Sequence, residues 1–520
     1  VALRAALAQI NPTVGDLAGN AALIQTQARS AIAAGANLVV FPEFALTGAP
    51  LEGLADRRSF QEAVTSASQT LAQAMHDGGA AVVVFGTLGA SKDGRGRGVL
   101  TAFDTGGGVP SQAEPGVLEV AGARVGLIPN WSLAERLALS TPSHQAKELD
   151  MVAVFAASPF VVGGAARRQQ VARRLAERLD APIAVVNLVG GQDEVVYDGG
   201  SFVVERDGSL SAQAERFAAT TLMWPGSEAR SPDGDDLGDL YCAIVLGIRD
   251  YVRKNGFSSA ILGLSGGIDS ALVAAMACDA LGPSSVSAVA MPSVHSSDHA
   301  MEDAREAARR MGVGLREESI DALVAGFDQQ LGLTGVAAEN IQARVRGMVL
   351  MGISNTEGQL VLATGNASEL ATGYTTTYGD AVGGYAPLKD VPKTLVWELA
   401  RFRNALAPQL DELPPIPDRS ITKPPSAELR PGQTDQDTLP DYETLDAILD
   451  LHLRRDATRE ELIAAGFSAA AVETTLGFVD RSEWKRRQYP VGPTVTMASF
   501  RRRRPPITSA WSSTAPRSSR

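Results

Sequence analysis

The chain has 520 residues, 45% hydrophobic and 20% charged, a globular composition with ample length for more than one core. Lysine and arginine total 47 against 59 acidic residues, a net charge of −12. That is the wrong sign for a protein that wraps a phosphate backbone, so nucleic acid is not expected as a partner. Two cysteines, Cys242 and Cys278, are too few for a disulfide framework or a four-thiolate zinc site. No apolar run approaches the ~20 residues that cross a bilayer, and residues 1–11 lack the layout of a signal peptide, so the expectation is a cytoplasmic protein with no membrane partner.

Residues 3–10 read as a strand, 21–34 carry helical spacing, and 36–41 form a second apolar strand. Further apolar runs at 81–85, 125–128, 151–155 and 183–186 alternate with turn or helical segments, which predicts a layered α/β domain over residues 1–223. Residues 224–238 (WPGSEARSPDGDDLG) have the composition of an exposed linker. Beyond it, 240–254 reads as a helix, 259–264 as a strand, 268–281 as a helix, and 286–291 and 360–364 as further strands. A doubly wound parallel sheet over 239–500 is predicted. Residues 421–437 are too polar and proline-rich for a core element and read as a long functional loop, and 501–520 as a basic tail.

Chemistry concentrates at residues 263–270, GLSGGIDS, between a strand and a helix. Gly263, Ser265, Gly266, Gly267 and Ser270 are small enough for backbone N–H groups to close around a phosphate, while the helix turns its positive end to the anion. No lysine follows, so this is not the loop of kinase-like terminal phosphate transfer. Asp269 lies just inside the helix, where a carboxylate either caps it or holds a divalent cation. A second carboxylate, Glu369 in TGNASE (364–369), follows another strand at the same carboxyl edge of the sheet. Two such carboxylates plus substrate oxygens suffice for Mg²⁺.

SGGIDS resembles the signature of the pyrophosphate-loop ATPases, which split ATP between its α and β phosphates. ENIQARVRG (339–347), TGNASELATGYTTTYGD (364–380), PLKDVPKT (387–394) and PSAELRPGQTDQD (425–437) look like the NAD synthetase family. The resemblance implies amidation of deamido-NAD, with ATP as co-substrate and Mg²⁺ as cofactor. The nicotinate carboxylate attacks the α-phosphate, pyrophosphate leaves, and ammonia displaces AMP. By motif position, Ser265, Gly267, Ser270, Thr364 and Lys393 contact ATP, and Asp269 and Glu369 hold the metal. Asn340 and Arg344 bind the dinucleotide, Asp380 sits near the reacting group, and Lys485 reaches in late. Ala367 and Thr377 stand where relatives often place lysine.

AQINPTVGDLAGN (8–20), FPEFALTG (41–48), ASPF (157–160) and VNLVGGQDEVVYDGGS (186–201) look like the carbon–nitrogen hydrolase (nitrilase) domain that releases ammonia from glutamine. The resemblance implies an α-β-β-α sandwich whose machinery is Glu, Lys and Cys, all needed together. Glu43 occupies the general-base position. The strand at 125–128 runs into Pro129, Asn130 and Trp131, and no cysteine occurs in residues 1–241. Lys92 reads as a solvated loop charge, Ser132 lacks an evident activating base, and Cys242 and Cys278 suit buried structural positions. The expected outcome is an NAD synthetase that draws on free ammonia and keeps a degenerate glutaminase domain in a homo-oligomer, dimer or higher. The alternatives are glutamine use through another nucleophile or a separate glutaminase, and a non-catalytic nucleotide-binding module.

Overall fold

Alternation along the central strands of the amino-terminal unit decides its layers. In Ala5–Gln9, Ala5 and Leu7 turn one way and Ala6 and Ala8 the other, all without exposure. A computed structural model describes residues 2–76, 79–90, 95–106, 111–113, 116–140, 148–226, 235–496, 505–509 and 511–514. The chain divides into two units, Val1–Asp236 and Leu237–Arg520.

The first unit contains two six-stranded sheets. Ala5, Leu7, Leu38, Val40 and Val84 from one sheet meet Val125, Leu127, Ala153, Phe155 and Val186 from the other. The outer face of the first sheet, with Ala6, Val39, Val83 and Phe85, is covered by helices Leu17–Ala33 and Arg58–Ala74. That of the second, with Val152, Val154, Ile183 and Val185, is covered by Trp131–Leu139 and Gly164–Leu179. This is the α-β-β-α sandwich the sequence leads one to expect. Strands such as Gly96–Asp104 and the hairpin Val189–Gln192 with Val195–Asp198 escape a periodicity reading, because glycines and charges interrupt their alternation.

In the second unit four parallel strands lie in the order Gly314–Glu317, Val286–Ala290, Ala260–Gly263, Leu360–Val361. The chain leaves Ala260–Gly263 to one side, then returns to its other side at Leu360–Val361. The strand order therefore reverses between these two, where open α/β sheets bind ligands beyond the carboxyl ends. The last strand is shorter than 360–364, because from Leu362 onward the segment bridges to Tyr385. Among the described residues no helix is long and apolar enough to cross a membrane. Residues 227–234 of the expected linker, and 501–504, 510 and 515–520 of the expected tail, lie outside the described residues. A helix, Asp236–Lys254, begins within the stretch read as linker.

Candidate active site

The loop expected to take phosphate, residues 263–270, is built by local hydrogen bonding. Helix Ile268–Leu281 follows strand Ala260–Gly263 directly, with Gly267 at its N-cap. Gly266 has φ +75°, and a Cβ there would lie 2.2 Å from the Ala300 carbonyl oxygen, so no other residue fits the turn. Ser270 Oγ donates to the Gly267 carbonyl at 3.1 Å and lies 3.0 Å from Ser265 Oγ, while the Gly267 N–H donates to Ser265 Oγ at 3.2 Å. From helix Asp418–Thr422, Ser420 Oγ donates to the Gly266 carbonyl at 2.9 Å and pins the loop.

Asp269 projects from the first turn of that helix toward Asn366, whose Nδ2 donates to Asp269 Oδ1 at 2.8 Å. Asn366 also caps helix Ala367–Thr372. Its Oδ1 accepts from the Glu369 N–H at 3.1 Å, and the Asn366 N–H donates to Glu369 Oε2 at 3.2 Å. One asparagine thus fixes both carboxylates. The N-x-x-E spacing within TGNASE is the capping-box signal that marks it.

Lys393, 2% exposed, contacts Asp269 and lies 3.8 Å from Glu369 Oε1. Its ammonium also stands 5.4 Å from the Tyr442 ring centroid and 5.8 Å from that of Trp397. Burial opposes the charge on Lys393, but Asp269 and Glu369 together outweigh it and hold its pKa above the ordinary value. Burial, then the Asp269 charge, pushes Glu369 upward. Asp435, which accepts from Tyr442 Oη at 2.7 Å, is raised chiefly by burial. Three carboxyl groups thus face one ammonium, an oxygen-rich set of the kind a divalent cation takes. Among the described residues no group of three or more His, Cys, Asp or Glu side chains is placed to hold a metal ion by itself.

The second half of the site surrounds residues 373–380. Asp380 Oδ1 accepts from the Thr376 N–H at 2.6 Å, and Thr376 Oγ1 bonds Asn340 Oδ1 at 2.9 Å. Arg344 Nε donates to the Thr377 carbonyl at 3.3 Å, and Lys485 Nζ donates to the Gly373 and Thr375 carbonyls, each at 2.7 Å. Asp380 is exposed as a residue, and the protein around its carboxyl group pushes that group up to about 6. Burial, tempered by Asp380, lowers Lys485. The structure therefore gathers Asn340, Arg344, Asp380 and Lys485 in one place. Thr364 is half-buried ahead of Asn366, and Gly263 ends its strand.

In the first unit Glu43 is half-buried and closely packed. A Cβ on Gly86 would lie 2.4 Å from its Cα, and one on Gly98 would lie 3.1 Å from its Oε1. Burial drives Glu43 up to about 8, against a hydrogen bond from the Ala157 N–H. Where the family's nucleophile is expected, Asn130 Oδ1 instead accepts from the Leu133 N–H at 2.9 Å and caps helix Trp131–Leu139. Ser132 is exposed on that helix. Lys92 lies outside the described residues. Both thiols belong to the second unit. Cys278 is only half-buried, and its thiol is pushed up to about 12 by its surroundings, chiefly desolvation. Cys242 corrects its expectation of burial: the helix turns Tyr241, Ala243 and Ile244 inward and leaves Cys242 exposed.

A glycine turn and an acid–lysine cluster at a parallel sheet's switch point, on a chain that also carries a four-layer sandwich with a half-buried glutamate, define a two-unit α/β protein that couples a sandwich and an open parallel sheet in one sequence. Comparison with known proteins narrows this class. Residues 240–489 match the family described as NAD synthase, and residues 4–97 match carbon–nitrogen hydrolase. The glutamine-dependent NAD(+) synthetase of Acinetobacter baylyi is 40% identical over 97% of this chain and 98% of its own length. That of Rhodobacter capsulatus is 40% identical over 98% of both. The glutamine-dependent NAD+ synthetase structure from Acinetobacter baumannii, in complex with ADP, covers 98% of this chain and 99% of its own at 35% identity, with a TM-score of 0.73. The chain belongs to the two-domain NAD synthetase family.

Proposed function

We propose that this protein converts deamido-NAD to NAD with ATP, through an adenylated intermediate. The observation that carries the reading is the convergence of Asp269, Glu369 and Lys393 beside the phosphate loop, with Asn340, Arg344, Asp380 and Lys485 in the same unit. In this reading the loop amides with Ser265 and Ser270 hold the ATP phosphates, and Lys393 and Thr364 contact them. Asp269 and Glu369 would hold Mg²⁺, which offsets charge on the triphosphate. The nicotinate carboxylate oxygen attacks the α-phosphorus, the bond to the β-phosphate bridge breaks, and pyrophosphate leaves. Ammonia then attacks the acyl carbon, AMP departs with the former carboxylate oxygen, and one proton is lost to form the amide. The chain's part is positioning and charge stabilisation, with Arg344 and Lys485 orienting the dinucleotide and Asp380 beside the reacting end. Pyrophosphate release that depends on deamido-NAD tests this. Its absence from folded protein supplied with ATP and Mg²⁺ supports a non-catalytic binding module instead.

The nitrogen donor divides into two readings. The names of the relatives favour glutamine over the ammonia expectation. The residues of this chain favour ammonia, because no cysteine occurs in residues 1–241 and Asn130 spends its side chain on a helix cap. Glutamine use would proceed through another, unrecognised nucleophile or a separate glutaminase. NAD formation by the purified chain with glutamine, compared with an ammonium salt, separates them: efficient turnover of glutamine removes the ammonia reading.

A further inference from the structure

Lys393 is the first residue of helix Lys393–Leu406, and the residue before it, Pro392, offers no side-chain cap. The exposed backbone donors of that first turn are met from two other helices. The Lys393 N–H donates to Ser368 Oγ at 2.9 Å, and the Thr394 N–H donates to Asp446 Oδ2 at 2.8 Å. Thr394 Oγ1 donates to the same oxygen at 2.9 Å, and Ser368 Oγ donates to Asp446 Oδ1. Asp446, 8% exposed, therefore joins Ser368, the neighbour of Glu369, to Thr394, the neighbour of Lys393. It also lies one helical turn from Tyr442 on helix Tyr442–Arg455, so a single face carries both this clamp and the ring beneath the Lys393 ammonium. A carboxylate at a helix N-terminus is favoured by the aligned backbone dipoles.

We propose that Asp446 is a positioning residue for the adenylation step, setting the spacing between the Glu369 carboxylate and the Lys393 ammonium by clamping the residue beside each. It need not touch substrate. A buried carboxylate that only stabilised the fold would not have to bind the neighbours of two candidate catalytic groups on separate helices. The inference rests on the ligase reading above and adds a residue that carries no recognisable motif.

The test measures deamido-NAD-dependent pyrophosphate release in the full chain. Asp446→Ala is expected to lower kcat roughly 10–100-fold while KM for ATP and deamido-NAD stays within about threefold, in protein that still unfolds cooperatively. Ser368→Ala combined with Asp446→Ala is expected to lose about as much as Asp446→Ala alone, since both act through one clamp. Asp446→Asn keeps the size and the bond to Thr394, and lies between wild type and alanine; where the alanine variant does not fold, the asparagine variant decides by its own fall in kcat. A folded variant with kcat within about twofold of wild type, a loss carried by KM alone, or multiplicative losses in the double variant overturns the proposal. Failure of the ligase reading looks different, because wild-type protein itself then releases no pyrophosphate. In that case the Nζ resonance of Lys393 decides: a shift in Asp446→Asn relative to wild type upholds the clamp, and an unmoved resonance ends it.

Discussion

Replacing Lys393 with methionine keeps the apolar stem and deletes one positive charge from a place where Asp269, Glu369 and Asp435 face it. In the native chain Lys393 is 2% exposed, and Asp269 and Glu369 are 17% and 18% exposed. Removing one partner of a buried ion pair costs about 3–5 kcal/mol, and the partial access of water to both carboxylates moves the expectation toward about 3 kcal/mol near neutral pH. The sign of the pH dependence follows from Glu369, whose folded-state pKa already lies above its ordinary value of 4.5. Such a group contributes stability that is fully present below the unfolded pKa and is lost as pH rises through the folded one. Without the ammonium the folded pKa climbs further, so the deficit of the variant is small near pH 4.5 and grows as pH rises. Urea unfolding of wild type and Lys393→Met, followed by amide exchange in helix Lys393–Leu406, measures this difference. Added Mg²⁺ is expected to narrow the gap by replacing the lost charge. A deficit under about 1 kcal/mol near pH 8, or one that does not shrink on acidification, refutes the charge argument.

Gly266→Ala forces a Cβ to 2.2 Å from the Ala300 carbonyl oxygen at φ +75°, and pyrophosphate release should fall by at least about tenfold, with loss of ATP affinity in calorimetry. Glu43→Gln should stabilise the first unit at alkaline pH by as much as a few kcal/mol. The reason is that native Glu43, raised to about 8 from 4.5, loses its contribution as pH rises through that value; hydrogen exchange in strand Val82–Ala90 reads the difference, which should vanish below pH 4.5. Lys485→Ala should raise KM for deamido-NAD about tenfold or more while changing KM for ATP less than about threefold, because the two carbonyls Lys485 holds belong to the segment around Asp380. Equal changes in both constants would count against that division of the site.

Local chemistry made the glycine turn at residues 263–270 legible. A strand, a glycine turn and a helix that opens on Asp269 are encoded within a few consecutive residues, and the small side chains are required by the backbone whatever surrounds it. The same holds for TGNASE, whose Asn366 and Glu369 form a cap that their spacing announces. Roles for Arg344, Asp380, Lys393 and Lys485 came only from the family's motifs. Nothing in their own neighbourhoods distinguishes them from solvated charges. Nothing local marks Asp446 or Tyr442, since a single acid or tyrosine in an amphipathic stretch carries no signal, and Asp435 is one of several acids in the polar loop 421–437.

What the chain sequence decided alone, then, is the layered α/β class of its two units, the glycine turn between strand and helix at residues 263–270, and that no thiol exists in residues 1–241. Only the folded chain decided that Lys393 meets Asp269 across 124 positions, and that Asp446 reaches 52 positions back to the turn bearing Lys393. The physical reason is range. Turns, caps and strand alternation depend on neighbours in sequence, whereas the charge balance of a buried cluster depends on which helices the apolar core brings together.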